Sequence, residues 1–231
     1  MKRLILEAVR EIPLFRGLSS RNLKRLVTEF QVREFKKGRV VFHQSDSSTD
    51  LYIVLNGSVK ASLVNEEGDE LTLAEFKKGD FFGEMSLIDG KPRSATITCL
   101  EDSTLGILTR DKFVELLKKE PHISLELLSS LVERLRIANG VIESLAFLDV
   151  EERLMRLLCS MIEECGERTE AGFYRIRRCP HRELASRIGA SREAVTKALK
   201  VLSFKGLVRE GRDGYIISPN IFSRNAEFKI K

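Results

Sequence analysis

The sequence predicts an α+β chain built in three parts: a β-rich first half, one long helix, and a helical C-terminal part with a small hairpin. Three observations carry this. Between residues 30 and 110, apolar side chains alternate with polar ones at the period of a half-buried strand. Leu128, Leu131, Leu135, Ala138, Ile142 and Leu145 then follow at spacings of 3, 4, 3, 4 and 3, the seam of a single long helix. Beyond it, positive charge concentrates: from Phe173 to Arg212 there are eleven Lys or Arg against three Glu. That segment is net +8 and leaves −3 for the rest of a 231-residue chain whose net charge is +5.

Composition narrows the function classes. Hydrophobic residues make up 42% and charged residues 32%, which fits a globular protein of one or two domains. The longest apolar runs are about five residues, such as Leu51 to Leu55, against about 20 needed to cross a bilayer, so no membrane partner is expected. Near the start, Leu4-Ile5-Leu6 stops at Glu7, too short for a secretory signal. Four cysteines are too sparse for a disulfide scaffold, and a reducing cytoplasm is the expected compartment. The three histidines, His43, His122 and His181, stand at no metal-ligand spacing, so no metal is expected. No nucleophile–histidine constellation or carboxylate pair stands out, and catalysis is not expected.

Taken in order, residues 4–30 carry helical spacing and are expected to pack outside the β-rich part. Val59, Ala61 and Leu63 alternate with Lys60 and Ser62; Glu66-Glu67-Gly68-Asp69 is a turn signal; Leu71, Leu73 and Phe76 form the return run of a hairpin. Ala95, Ile97 and Cys99 repeat the alternation, as do Leu105 and Ile107, with Gly38, Gly57, Gly79 and Gly90 as punctuation. Short strands so spaced indicate a sandwich or barrel. Asp111 is expected to cap a short helix through Lys119, ended by Pro121. The seam of the long helix can bury itself in its own domain or pair with its twin in a dimer. The charges of Glu133, Arg134 and Arg136 keep it narrow and favour the dimer. A helix over Glu151 to Cys165 is expected to end at Gly166.

The stretch from His181 to Leu199 has helix-turn-helix form. Leu184, Ala185 and Ile188 give the first helix an apolar face, Gly189 suits a tight left-handed turn, and Ser191 is a good N-cap for the second. Val195, Leu199 and Leu202 face inward, which leaves Arg192, Glu193, Thr196, Lys197 and Lys200 on the open side. In this motif the second helix enters the major groove of DNA. Arg192 suits guanine, Glu193 suits cytosine, and Lys197 reaches guanine or phosphate. Arg182, Arg187 and Lys200 suit phosphates, which fix position and affinity rather than sequence. Leu207 to Glu210 and Tyr215 to Ile217 flank Gly211-Arg212-Asp213-Gly214 and read as a hairpin wing.

A second motif runs from Phe82 to Thr96. Gly83 lets backbone approach a ligand, and the residues after it suit the start of a short helix that favours an anion. Glu84 is an acceptor suited to a sugar hydroxyl, Arg93 offers a planar fork for a phosphate, and Ser94 adds a hydroxyl. The alternative is a cassette kept for structure alone, in which Arg93 pairs with Glu84 or Asp89.

This stretch resembles the phosphate-binding cassette of cyclic-nucleotide-binding domains. With Leu145 to Val150 closing the long helix and Ser191-Arg192-Glu193 opening a recognition helix, the chain is similar nearly throughout to the cyclic-AMP receptor protein/FNR family of homodimeric transcription regulators. The resemblance implies a jelly-roll-like β-roll over residues 1–120, a dimerisation helix and hinge over 121–148, and a winged helix-turn-helix over 149–231. It implies ribose contacts at Gly83 and Glu84, with Met85 and Ser86 beside them. Arg93 and Ser94, followed by Ala95, match the positions that hold the cyclic phosphate. The resemblance implies cyclic AMP as effector and Asn139 as a contact to the base. Where the cyclic-AMP receptor branch offers a Thr-Ser pair to adenine, however, this chain has Ala138, which cannot hydrogen-bond by its side chain, and Asn139, whose geometry differs, so cyclic GMP stays open. Lys197 replaces a second arginine of the recognition helix, which weakens readout at one base pair. The first 98 residues contain no cysteine for an iron–sulfur cluster, and Gly83 and Met85 stand where haem sensors of the family place ligands, so neither cofactor is expected. The implied partners are palindromic double-stranded DNA, a second copy of the chain and RNA polymerase. Two alternatives stay open: the same fold under constitutive, redox or other-ligand control, and a sensor acting on a partner protein.

Overall fold

The computed structural model describes residues 2–211 and 213–227. The chain divides into two compact units, one of residues 1–63 and 73–137 and one of 64–72 and 138–231.

The first unit opens with α1 (Lys2–Glu11) and α2 (Ser20–Glu29), with a 3-10 turn at Pro13–Phe15 between them. Ser19 caps α2 by accepting the Asn22 N–H at 3.2 Å. Strands β1 (Gln31–Phe35), β2 (Val40–Phe42), β3 (Leu51–Asn56), β4 (Ser58–Val64), β5 (Glu70–Lys77) and β6 (Phe81–Phe82) follow. Then come α3 (Glu84–Asp89), β7 (Thr96–Cys99), β8 (Ser103–Leu108) and α4 (Arg110–Lys119). The strands form two four-stranded sheets, ordered β1-β8-β3-β6 and β2-β7-β4-β5. The hairpin expected at Glu66 to Asp69 joins β4 to β5, and its residues 64–72 are the stretch that groups with the second unit. The Asn65 side chain closes it by accepting the N–H groups of Glu67 and Asp69 at 3.1 and 2.8 Å.

Strand β3 explains why its five apolar residues run unbroken. Tyr52 and Val54 join Val59, Ala61, Phe76, Ile97 and Leu105 in the core between the sheets. Leu51, Ile53 and Leu55 belong to a second cluster with Leu23, Leu26, Phe113 and Ile123, which comes from the surrounding helices. Both faces of β3 are therefore covered, and a strand with no solvent face needs no polar alternation.

At α4 the structure corrects the expected cap. Thr109 holds the extended N-cap conformation and Asp111 lies in the first turn, where its charge favours the helix dipole. The long helix is α5 (His122–Phe147), as its seam predicts. Of the six seam residues, Leu131 is half-buried against the core of the first unit, while Leu128, Leu135, Ala138, Ile142 and Leu145 are exposed. The exposed apolar stripe runs instead through Leu125, Leu128, Val132, Leu135 and Ile142. Asn139 takes the heptad position between Leu135 and Ile142.

In the second unit, α6 (Val150–Cys165) starts with a full capping box. Asp149 accepts the Glu152 N–H and Glu152 accepts the Asp149 N–H, each at 2.8 Å. Then come β9 (Glu167–Arg168), β10 (Tyr174–Arg177), α7 (His181–Ile188), α8 (Arg192–Phe204), β11 (Val208–Glu210), β12 (Gly214–Ile217) and α9 (Asn220–Glu227). The strands form one antiparallel sheet ordered β11-β12-β10-β9. Leu154, Leu158, Leu184, Val195, Leu202 and Ile217 pack its core from α6, α7, α8 and β12. Gly189 is left-handed at φ 61°, and Ser191 caps α8 by accepting the Ala194 N–H at 3.1 Å, as the motif requires. Arg212, expected at the wing tip, lies outside the described residues.

Candidate functional site

The cassette is a strand–glycine–helix turn from β6 into α3. Gly83 is left-handed at φ 84°, and a Cβ there would sit 2.5 Å from Arg93 Nη1 and 2.9 Å from the Asp50 carbonyl. Glycine is thus required on two counts, conformation and space. Arg93 is buried. Its Nε donates to Ser48 Oγ at 2.9 Å, Nη1 to the Gly83 carbonyl at 2.9 Å, and Nη2 to the Asp50 carbonyl at 2.8 Å. The guanidinium lies 4.2 Å from the centroid of the Phe42 ring. Burial pulls its pKa down, opposed by Tyr52, Asp50, Glu84 and Asp46. A guanidinium has five N–H donors, so the three bonds in place leave two for an anion.

Glu84, the first residue of α3, is also buried, and its partner is Arg134 of α5 at 2.9 Å. Arg134 donates as well to the Phe81 carbonyl and lies 4.7 and 5.0 Å from the Phe81 and Phe76 ring centroids. This corrects the expected pairing of Arg93: neither Glu84 nor Asp89 holds it, because three neutral oxygens already do. Arg134 is the residue that sequence reasoning missed, having treated it only as a charge flanking the seam. The available signal was Glu84 itself, a carboxylate in a glycine-opened turn that needs a cation when buried.

The other cassette residues divide by exposure. Ser86 and Ala95 are buried, whereas Met85 and Ser94 are exposed, and Ser94 Oγ donates to the Met85 sulfur at 3.3 Å. Asn139 is exposed on α5 within the second unit. The first unit thus brings together Gly83, Glu84, Arg93 and Arg134: one turn, one buried anion and two buried or half-buried cations. Such a set suits a ligand that carries both hydroxyls and a negative phosphate.

In the second unit, Arg182, Arg192, Glu193, Lys197 and Lys200 are exposed, and the exposed Ser191 spends its hydroxyl on the cap of α8. Two expected contacts are less open. Arg187 is half-buried and ion-paired to Glu183 at 3.6 Å, one turn earlier on α7. Thr196 is half-buried, donates to the Arg192 carbonyl at 2.9 Å, and stands 2.9 Å from His181 Nδ1. Four cysteines are free; Cys99, Cys159 and Cys179 are buried and Cys165 is exposed. Burial pushes the Cys159 thiol up to about 11, which keeps it protonated and inert at neutral pH. Among the described residues no cluster of three or more His, Cys, Asp or Glu suits a metal, and no helix is long and apolar enough to cross a membrane.

The cyclic nucleotide-binding domain family matches residues 32–120, and the Crp-like helix-turn-helix family matches residues 152–221. The chain is 33% identical over 199 residues to the cyclic AMP receptor protein of Thermus thermophilus, covering 86% of this chain and 89% of that protein. It is 31% identical over 215 residues to the CRP-like cAMP-activated global transcriptional regulator of Mycobacterium tuberculosis, covering 92% and 96%. Among solved structures, the c-di-GMP responsive global regulator of Xanthomonas campestris aligns with a TM-score of 0.77 at 26% identity, over 86% of this chain and 99% of that one. Cassette, winged motif and these matches lead to one assignment: the chain belongs to the cyclic-AMP receptor protein/FNR family of DNA-binding transcription regulators.

Proposed function

We propose that this chain is a homodimeric, cytoplasmic transcription regulator that a cyclic mononucleotide switches, with cyclic AMP the effector. The observation that carries the reading is the cassette: Glu84 and Arg93 are both buried beside a left-handed Gly83, and Arg93 keeps two N–H donors beyond its protein bonds. The carboxylate of Glu84 takes a ribose hydroxyl and Arg93 takes the cyclic phosphate, with Ser94 beside it. Arg134 ties Glu84 to α5, so a nucleotide that contacts Glu84 acts directly on the helix bearing the exposed apolar stripe. Two chains pair along that stripe, and Asn139 fixes their register. The paired winged motifs read a palindrome whose half-sites lie one turn apart, roughly 34 Å. Arg192, Glu193 and Lys197 read base edges, Arg182 and Lys200 grip phosphates, and RNA polymerase is the downstream partner. The test is calorimetric titration of cyclic AMP, cyclic GMP and cyclic di-GMP into the purified protein, with and without a palindromic duplex. Binding of cyclic AMP that the duplex tightens supports the reading. Binding of another of the three reassigns the effector. Binding of none, with DNA still held, favours constitutive control, in which Arg93 and Glu84 serve the fold alone.

A further inference from the structure

His181 opens α7 and meets two other elements of the winged motif. Its Nδ1 stands 2.9 Å from Thr196 Oγ1 on α8, and its Nε2 stands 3.4 Å from Glu210 Oε1 on the wing strand β11. Thr196 donates its single hydroxyl proton to the Arg192 carbonyl at 2.9 Å. A hydroxyl that has given its proton away can only accept from the histidine, so Nδ1 must carry a proton. Glu210 is also an acceptor only, and its carboxylate at 3.4 Å from Nε2 is at ion-pair distance, which favours a proton there. The imidazolium serves both acceptors at once. The neutral ring has one proton for the two, and it gives up either the attraction to Glu210 on the wing or the donor that lets Thr196 keep its bond to Arg192.

We propose that His181 is a positioning residue of the DNA interface: a proton-dependent brace between β11 and α8 that makes DNA affinity rise as pH falls. The proposal rests on the reading that α8 and the wing face DNA. Protonation also sets a positive charge against Glu210, which otherwise repels phosphates. Glu210 is the charged group that the ring itself meets. The other charged side chains on or beside the packed elements are Arg192, Glu193, Lys197 and Lys200 of α8, Arg209 of β11, Arg178 ahead of α7, and Arg182, Glu183 and Arg187 of α7.

The experiment uses the full chain and fluorescence anisotropy. The probes are a duplex that the protein itself selects from a random pool and a scrambled duplex of equal length. Affinity is read at pH 5.5, 6, 7 and 8 at fixed ionic strength, with and without cyclic AMP. Wild type should lose about fivefold per protomer from pH 6 to pH 8, the equivalent of one hydrogen bond. His181→Gln, whose amide accepts and donates without titrating, should bind with a flat profile, and Glu210→Gln should flatten it as well. Thermal melts at pH 7 check that both variants fold. Arg192→Ala serves as the control for the underlying reading. If it abolishes preference for the selected duplex while wild type and His181→Gln keep parallel pH profiles, the brace is wrong and the DNA face stands. If Arg192→Ala leaves binding untouched, the DNA face is wrong and the brace falls with it.

Discussion

Arg93 is the residue on which the nucleotide reading turns. It sits against two backbone carbonyls, a serine hydroxyl and an aromatic ring, and these protein contacts alone fix its guanidinium. Preorganisation of this kind lowers the entropy cost of binding. Arg93→Ala should weaken cyclic-AMP affinity by about a hundredfold, since hydrogen bonds to charged groups contribute about 1.5–3 kcal/mol each. Titration calorimetry reads it, and unchanged affinity removes Arg93 from the site. The same change strips donors from the Gly83 and Asp50 carbonyls, so the melting temperature should fall too. Glu84→Gln separates the two roles of its site. The amide keeps the shape but loses the charge that pairs with Arg134. It should cost nucleotide affinity and also loosen the N-terminal half of α5, visible as faster amide exchange around Arg134.

At the scale of elements, caps and stripes make separate predictions. The capping box at Asp149 satisfies donors at the start of α6, and Asp149→Ala should destabilise the second unit by about 1 kcal/mol in urea unfolding. The exposed stripe of α5 predicts dimer disruption by Leu135→Glu, read as a halved mass by light scattering. A dimer that persists would place the pairing surface elsewhere. On α8, Arg192→Ala should relax preference within the half-site, whereas Lys200→Ala should weaken all duplexes alike and reduce the salt slope by about one. Two variants with the same profile would mean that α8 meets DNA in a different orientation.

For the whole molecule, allosteric control requires reciprocity: if the nucleotide tightens DNA, DNA must tighten the nucleotide by the same factor. Unequal factors would mean that the two titrations were not at equilibrium or did not start from the same oligomeric state. Stability has its own pH limit. Burial raises Cys159 from 9.0 to about 11 and Tyr215 from 10.0 to about 12, and the Tyr215 hydroxyl donates to the Cys179 carbonyl at 3.0 Å. Both groups are neutral when protonated and bind their protons more tightly in the folded state. Their contribution is therefore complete below the unfolded pKa and disappears as pH rises through the folded one. The contribution of these two groups to the second unit should stay constant up to about pH 9 and fall above it. Cys159→Ala should postpone the onset to about pH 10, where Tyr215 takes over, as alkaline denaturation followed by circular dichroism will read.

The sequence by itself determined what local rules govern. The strand alternation of β4 and β7, the turn at Glu66 to Asp69, the Gly189 turn, the Ser191 cap and the span of α5 are written in spacings of a few residues, and each stands where expected. The glycine-opened cassette and the basic C-terminal segment were legible for the same reason, since their chemistry is contiguous. Only the tertiary structure decided what joins distant segments. Arg134 neutralises Glu84 from another helix, Ser48 and Asp50 hold Arg93, and Leu131 leaves the seam for the core. His181 meets both α8 and the wing. None of these leaves a periodic trace, because a side chain's partner across the fold depends on how layers stack. A buried charge or a shared proton makes its demand on whatever the packing brings near.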